Sequence, residues 1–99
     1  MKFDAVTIIG TGSTVTASAT SNWQNLPTDA TNNVPRYCRL QSTGLVYVKL
    51  GGPSGVTATT NDLLLSPNEA VIIATRQFTR IAYLQETPGA KLNIISVEA

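Results

Sequence analysis

The chain contains no histidine and only one cysteine, Cys38. Histidine is the most common general base, and a thiol nucleophile needs a base beside it. A single cysteine also excludes an intrachain disulfide. The alternating run Tyr37-Cys38-Arg39-Leu40 instead predicts a buried, unreactive thiol on a strand. The carboxylates are scattered in or beside turns and at the termini, so a calcium site shared by Asp62 and Glu69 is disfavoured. We therefore predict no enzyme activity, no catalytic residues, no cofactor and no metal site.

Charge is also scarce. Charged residues make up 13% of the sequence and the formal net charge is +1, whereas an average domain has about 25% charged residues. Without a clustered basic excess, nucleic acid is not an expected partner. No apolar run approaches the ~18 residues of a membrane span, and charges follow Met1 at once. We expect a soluble protein, made in a cytoplasm, with no membrane contact and weak self-repulsion.

Short β-type runs separated by turn residues fill the rest of the chain. No window shows a helical stripe of apolar residues, and turns recur every ~8–12 residues. This pattern predicts an all-β fold: a single small β-sandwich, jelly-roll-like, of about seven to nine short antiparallel strands over residues 1–99. Residues 1–20 are expected to form an N-terminal strand or arm. The predicted strands are 5–9, 13–19, 37–41, 45–50, 56–60, 63–65, 70–75, 80–85 and 91–97.

The turns carry their own predictions. Ser42-Thr43-Gly44 indicates a hairpin between the strands 37–41 and 45–50, with Gly44 free to take a positive φ. Residues 21–34 are polar and predict a long loop. Two glycine motifs, at 10–12 and 51–55, lack the following helix and the lysine that nucleotide-binding loops require. We interpret both motifs as turns.

Six residues are candidates for contact with a partner. Trp23 lies in the predicted polar loop, where it either plugs one end of the sandwich or anchors another chain. The basic-aromatic stretch 76–80 could hold a phosphate backbone, but a strand connection with an inward-facing phenylalanine is the simpler interpretation. Trp23, Asn25 and Tyr47 could also form a platform for a sugar. The full candidate set is Trp23, Asn25, Tyr47, Arg76, Phe78 and Arg80.

The two strands 45–50 and 80–85 are apolar on both faces. Val46, Val48 and Leu50 share one face of the first strand, yet Leu45 and Tyr47 lie on the other. A sheet with one solvated face normally alternates more cleanly. Both faces of these strands are therefore expected to be covered, by loops of the chain or by another subunit.

From Arg36 onward the sequence resembles a family of small virion proteins of tailed bacteriophages. The similar segments are Arg39-Leu40-Gln41-Ser42-Thr43-Gly44 followed by Val46-Tyr47-Val48-Lys49-Leu50-Gly51, then 56–62 with Leu65-Ser66-Pro67-Asn68-Glu69, and finally the strands 80–84 and 92–94. These segments are strand and turn patterns without catalytic residues. The polar segment 21–34 does not follow the family pattern.

The resemblance implies a capsid decoration (cement) protein or a small head or tail accessory protein. Such proteins are typically dimers or trimers that lie where capsomers meet. The implied function is a non-enzymatic structural protein on the capsid surface of the virion, synthesised in the host bacterial cytoplasm, with itself and the major capsid protein as partners. A tail-tip or head–tail adaptor component, and a glycan- or receptor-binding module, are the alternatives.

Overall fold

The computed structural model describes residues 6–98, which form nine β-strands and no helix. Most strands are short, as the spacing of turn residues predicts. Their bounds are β1 Thr7–Ile8, β2 Ser13–Thr16, β3 Asn22–Asn25, β4 Tyr37–Ser42, β5 Val46–Gly51, β6 Leu63–Leu65, β7 Val71–Ala74, β8 Arg80–Gln85 and β9 Lys91–Glu98.

The strands form two antiparallel sheets. The five-stranded sheet has the order β1-β9-β4-β7, with β2 also paired to β9, and the four-stranded sheet has the order β3-β8-β5-β6. Strands β1 and β2 pair with two successive parts of the same side of β9, so together they occupy one strand position. Each sheet therefore has four strand positions. The chain changes sheet at every connection between these positions except β5 to β6. This arrangement is a jelly-roll sandwich, so the predicted fold class is confirmed.

The core lies between the two sheets and follows the period of two along each strand. In β4, Cys38, Leu40 and Ser42 are buried while their neighbours are half-buried. Leu92 and Ile94 of β9 are fully buried on the same side. Each aliphatic side chain removed from water in this way contributes about 1.5–3 kcal/mol. The core cluster consists of Ala17, Leu26, Cys38, Leu40, Val46, Val48, Leu65, Ile81, Tyr83, Ala90, Leu92 and Ile94.

The predicted hairpin around Gly44 is wrong. Strand β4 pairs with β7 and β9, whereas β5 pairs with β6 and β8, so residues 43–45 cross from one sheet to the other. Gly44 does not have a positive φ. It is needed because a Cβ there would stand 2.9 Å from Thr87 Cβ and 3.1 Å from Ala90 Cβ. Close approach to the β8–β9 connection, and not turn geometry, explains this glycine.

Three further local predictions differ from the structure. The predicted loop 21–34 contains strand β3, because residues 22–25 pair in register with β8. The predicted strand 56–60 does not form. There Asp62 accepts hydrogen bonds from the amide and hydroxyl of Thr59 (2.7 and 3.1 Å) and holds a turn. The predicted strand 5–9 begins at a residue outside the described range, and only 7–8 are paired.

Adjacent glycines at the end of β5 offer a test of this packing. A Cβ on Gly51 would collide with the side chain of Val56, whereas a Cβ on Gly52 would meet no atom within 4 Å. Neither residue has a positive φ. We predict that Gly51→Ala lowers the free energy of unfolding by about 1–3 kcal/mol, as overpacking does. Gly52→Ala should change it by no more than about 0.5 kcal/mol. Urea unfolding of both variants measures the difference, and equal effects would contradict this packing.

Candidate interaction surface

The four-stranded sheet has an outer face that carries most of the predicted contact residues. Residues directly opposite each other in antiparallel strands point to the same side of a sheet. Val46 and Ile81 point to the core, so their neighbours along the strands point outward. The outer face consists of Trp23, Asn25, Tyr47, Lys49, Leu64, Arg80, Ala82 and Leu84.

The register sets these side chains in rows. Ala82 lies opposite both Trp23 and Lys49, on either side of β8. Tyr47 lies between Leu84 and Leu64 in the next row. Ala82 is fully buried although it points outward, which indicates that the larger side chains around it cover it. The outer face is therefore a packed layer of aromatic, aliphatic and basic side chains.

Trp23 and Arg80 are in direct contact on this layer. The guanidinium carbon of Arg80 lies 3.9 Å from the centroid of the Trp23 ring. Arg80 pairs directly with Asn25, so Trp23 is its diagonal neighbour on β3, within reach of a long side chain. A cation over an indole face contributes about 0.5–1 kcal/mol at an exposed site. This contact favours one orientation of the two side chains before any partner binds.

Trp23 is 45% exposed, so the hypothesis that it plugs the end of the sandwich is wrong. The indole does not enter the core because β3 is an edge strand whose inward positions are Asn22 and Gln24. Trp23 as the anchor of another chain remains a prediction. Leu64, 41% exposed in the neighbouring part of the same face, was missed by sequence reasoning. The run Leu63-Leu64-Leu65 contains the signal. Side chains alternate along a strand, so at least one of three consecutive leucines must point away from the core.

Arg76 and Phe78 lie in the connection from β7 to β8, before the first residue of β8. Arg76 and Gln77 have φ values of 52° and 73°, and the Phe78 amide donates to the Thr75 carbonyl (2.9 Å). Phe78 is 43% exposed, so its predicted inward packing is wrong. The tight turn buries Thr75 instead, whose hydroxyl donates to the Pro35 carbonyl. Four of the six candidates thus share the paired outer face, and the other two lie in the β7–β8 connection.

Asp29 and Asp62 each accept hydrogen bonds within a local turn. Asp29 Oδ1 accepts hydrogen bonds from the Asn33 amide and from the amide and hydroxyl of Thr31, and these bonds lower the pKa of its carboxyl. The Thr59 amide lowers the pKa of Asp62 in the same way, and Lys49 adds to the effect. Within residues 6–98, no three side chains of the metal-binding types come together.

Cys38 is fully buried in the core, as predicted. Burial raises the pKa of its thiol to about 11, so the nucleophilic thiolate is scarce at neutral pH. The buried thiol has no part in the exposed surface around Trp23. Among the described residues there is also no helix long and apolar enough to cross a membrane.

Comparisons with protein-family models, with curated proteins and with solved structures found no match to this chain.

The contact between Trp23 and Arg80 can be tested by fluorescence, because Trp23 is the only tryptophan. We predict that Arg80→Ala uncovers the indole, shifts its emission to longer wavelength and raises quenching by acrylamide, a neutral quencher. Arg36→Ala removes an exposed arginine from the β3–β4 connection and should leave both readings unchanged. If Arg80→Ala had no effect on either reading, the stacked geometry would be wrong.

Proposed function

We propose that the chain is a non-enzymatic structural protein of a bacteriophage virion, which self-associates and binds neighbouring capsid subunits as a decoration (cement) protein. The observation that carries this proposal is the outer face, where an exposed tryptophan, an arginine stacked on it, a tyrosine and an exposed leucine share one surface. Tryptophan, tyrosine and arginine are the residues that dominate binding energy at protein interfaces. The resemblance to small virion proteins supplies the kind of particle.

The composition suits such a surface. The outer face carries two cations, Lys49 and Arg80, of which Lys49 lies near Asp62. Little charge must therefore be desolvated when another protein covers the face, and polar hydroxyls and amides around it can hydrogen-bond to a partner. Attachment at many equivalent positions adds modest single contacts through multivalency. A decoration protein needs no stronger individual contact than this face can supply.

The preformed contact also reduces the cost of binding. Ordering a rotamer-rich side chain at an interface costs about 0.5–1.5 kcal/mol. Arg80 already lies over the Trp23 ring in the isolated chain, so part of that cost is met during folding. The major capsid protein is the proposed partner, and the capsid surface is the proposed location after synthesis in the host bacterium.

Two alternative functions would use the same surface. A tail-tip or head–tail adaptor protein would use the same outer face on a different part of the particle. A glycan- or receptor-binding module would stack a sugar on Trp23 or Tyr47. The guanidinium of Arg80 lies at 3.9 Å on the indole ring, on a face that a sugar would otherwise occupy. This contact favours a protein partner over a sugar.

Immunogold electron microscopy with an antibody against the purified chain tests the location. Particles from the phage that encodes the chain should carry gold over the whole head. Gold restricted to the tail tip or the neck would replace decoration by the accessory function, and particles without gold would contradict a virion protein.

A binding assay tests the surface on heads produced without the chain. We predict that Trp23→Ala weakens co-sedimentation with these heads by roughly 30-fold, which corresponds to about 2 kcal/mol. Ile8→Ala removes a side chain that is more exposed, at 64%, but lies on β1 of the other sheet, and it should bind like the unmodified chain. Equal affinities of all three proteins would exclude the outer face as the contact.

A further inference from the structure

The two open sides of the sandwich differ in how their edge strands are protected. On one side lie β2 and β3, whose side chains are largely polar. Gln24 Nε2 donates to Ser13 Oγ (3.1 Å) and links the two sheets. Between β1 and β2, the four residues 9–12 lie opposite only two residues of β9, so the edge bulges there. Polar edges and bulges of this kind discourage pairing with another chain.

The opposite side lacks the polar edge strands. Its edge strands are β6, Leu63-Leu64-Leu65, and β7, Val71-Ile72-Ile73-Ala74. Neither contains a charge, a proline or a glycine. Strand β7 pairs only with β4, and β6 only with β5, among the described strands. Each strand therefore leaves one row of backbone donors and acceptors without a strand partner.

An apolar cleft joins these two edges. It lies between the sheets and is lined by Val48, Lys49, Leu50, Leu63, Ile73 and Ile81. Leu63, at its mouth, is 49% exposed. The two bare edges and the cleft thus form one continuous apolar side of the sandwich, which we call the β6–β7 side. Exposed apolar surface beside unpaired strand edges is typical of a site where another chain adds.

We propose that the β6–β7 side binds a second copy of this chain, with β7 pairing antiparallel to β7 of the copy about a two-fold axis. The inference deepens the self-association in the proposed function by assigning it a surface. Two-fold antiparallel pairing requires one strand to be complementary to itself. Strand β7 meets this requirement because it carries no charge, so no like charges oppose each other. Its β-branched residues also suit cross-strand packing.

The geometry leaves the outer face available. Strand β7 belongs to the five-stranded sheet, and pairing there would join two such sheets into one continuous sheet across the dimer. Trp23 lies on β3, the edge of the four-stranded sheet farthest from β6. A dimer built through β7 would therefore present two outer faces, one for each of two neighbouring capsid subunits.

Cysteine cross-linking tests the pairing directly. Single-cysteine substitutions are made at each position of β7 in the full chain: Val71→Cys, Ile72→Cys, Ile73→Cys and Ala74→Cys. Residues near the two-fold axis face their own copy with Cβ atoms about 4.5–5.5 Å apart, close to disulfide range. All four variants are made on a Cys38→Ala background, because Cys38 lies directly opposite Ile73 and would otherwise pair with a cysteine placed there. Thr14→Cys, on exposed β2 at the opposite edge of the same sheet, is the matched control.

On mild oxidation at micromolar concentration, at least one β7 variant should become mostly disulfide-linked dimer while the Thr14→Cys variant stays monomeric on a non-reducing gel. Absence of cross-linking in all four variants, or equal cross-linking through Thr14→Cys, would overturn the inference. Light scattering gives a second reading: Ile72→Lys should halve the mass of the dimer, and Ile72→Val should preserve it. A dimeric Ile72→Lys variant would also overturn the inference.

Failure of this inference and failure of the proposed function are separate results. Gold-labelled heads without any β7 cross-link would leave the decoration function standing and exclude the β7 interface. Cross-linked β7 variants with no gold on particles would establish the interface and exclude the virion function.

Discussion

The longer strands of this chain give one of their two faces to the layer between the sheets, and the rest of the structure depends on that constraint. Leu40 and Ile94 from one sheet meet Val46 and Ile81 from the other in a fully buried layer. Side chains alternate strictly along a strand, so burying one face determines what the other face exposes. The outer faces and strand edges of the two sheets remain exposed, and these are surfaces where a partner can be met.

The available surfaces are unequal. The outer face of the four-stranded sheet combines Trp23, Arg80 and Tyr47, whereas the β2–β3 side is polar and cross-linked by Gln24 and Ser13. The β6–β7 side is apolar, and its two edge strands each have an unpaired edge among the described strands. We assign the outer face to a foreign partner and the β6–β7 side to a second copy of the chain. The two surfaces meet at Lys49 and Leu64. Trp23 lies on β3, at the opposite edge of the sheet, so both contacts can be made at once, as the proposed function requires.

The apolar strands bounded by turn residues could be predicted from the sequence, whereas a strand defined by distant contacts could not. Strands β4, β5, β8 and β9 lie close to the predicted positions. Strand β3 reads Asn22-Trp23-Gln24-Asn25, which has no apolar alternation, and it is a strand because β8 offers it a ladder. The predicted hairpin failed at Gly44, because the packing of Thr87 and Ala90, more than 40 positions later, decides the path there. The sequence indicates each candidate residue separately. Only the register between strands shows that four of them share a face.

Hydrogen–deuterium exchange of the full chain, measured from nanomolar to high micromolar concentration, tests most directly the central claim that the two sides of the sandwich have different roles. Backbone amides that pair with another chain gain protection as the dimer forms. The structure predicts that protection rises with concentration in residues 71–74 of β7, while residues 13–16 of β2 and 22–25 of β3 exchange at the same rate throughout. Protection that rises on the β2–β3 side, or exchange in β7 that does not change with concentration, would contradict the account.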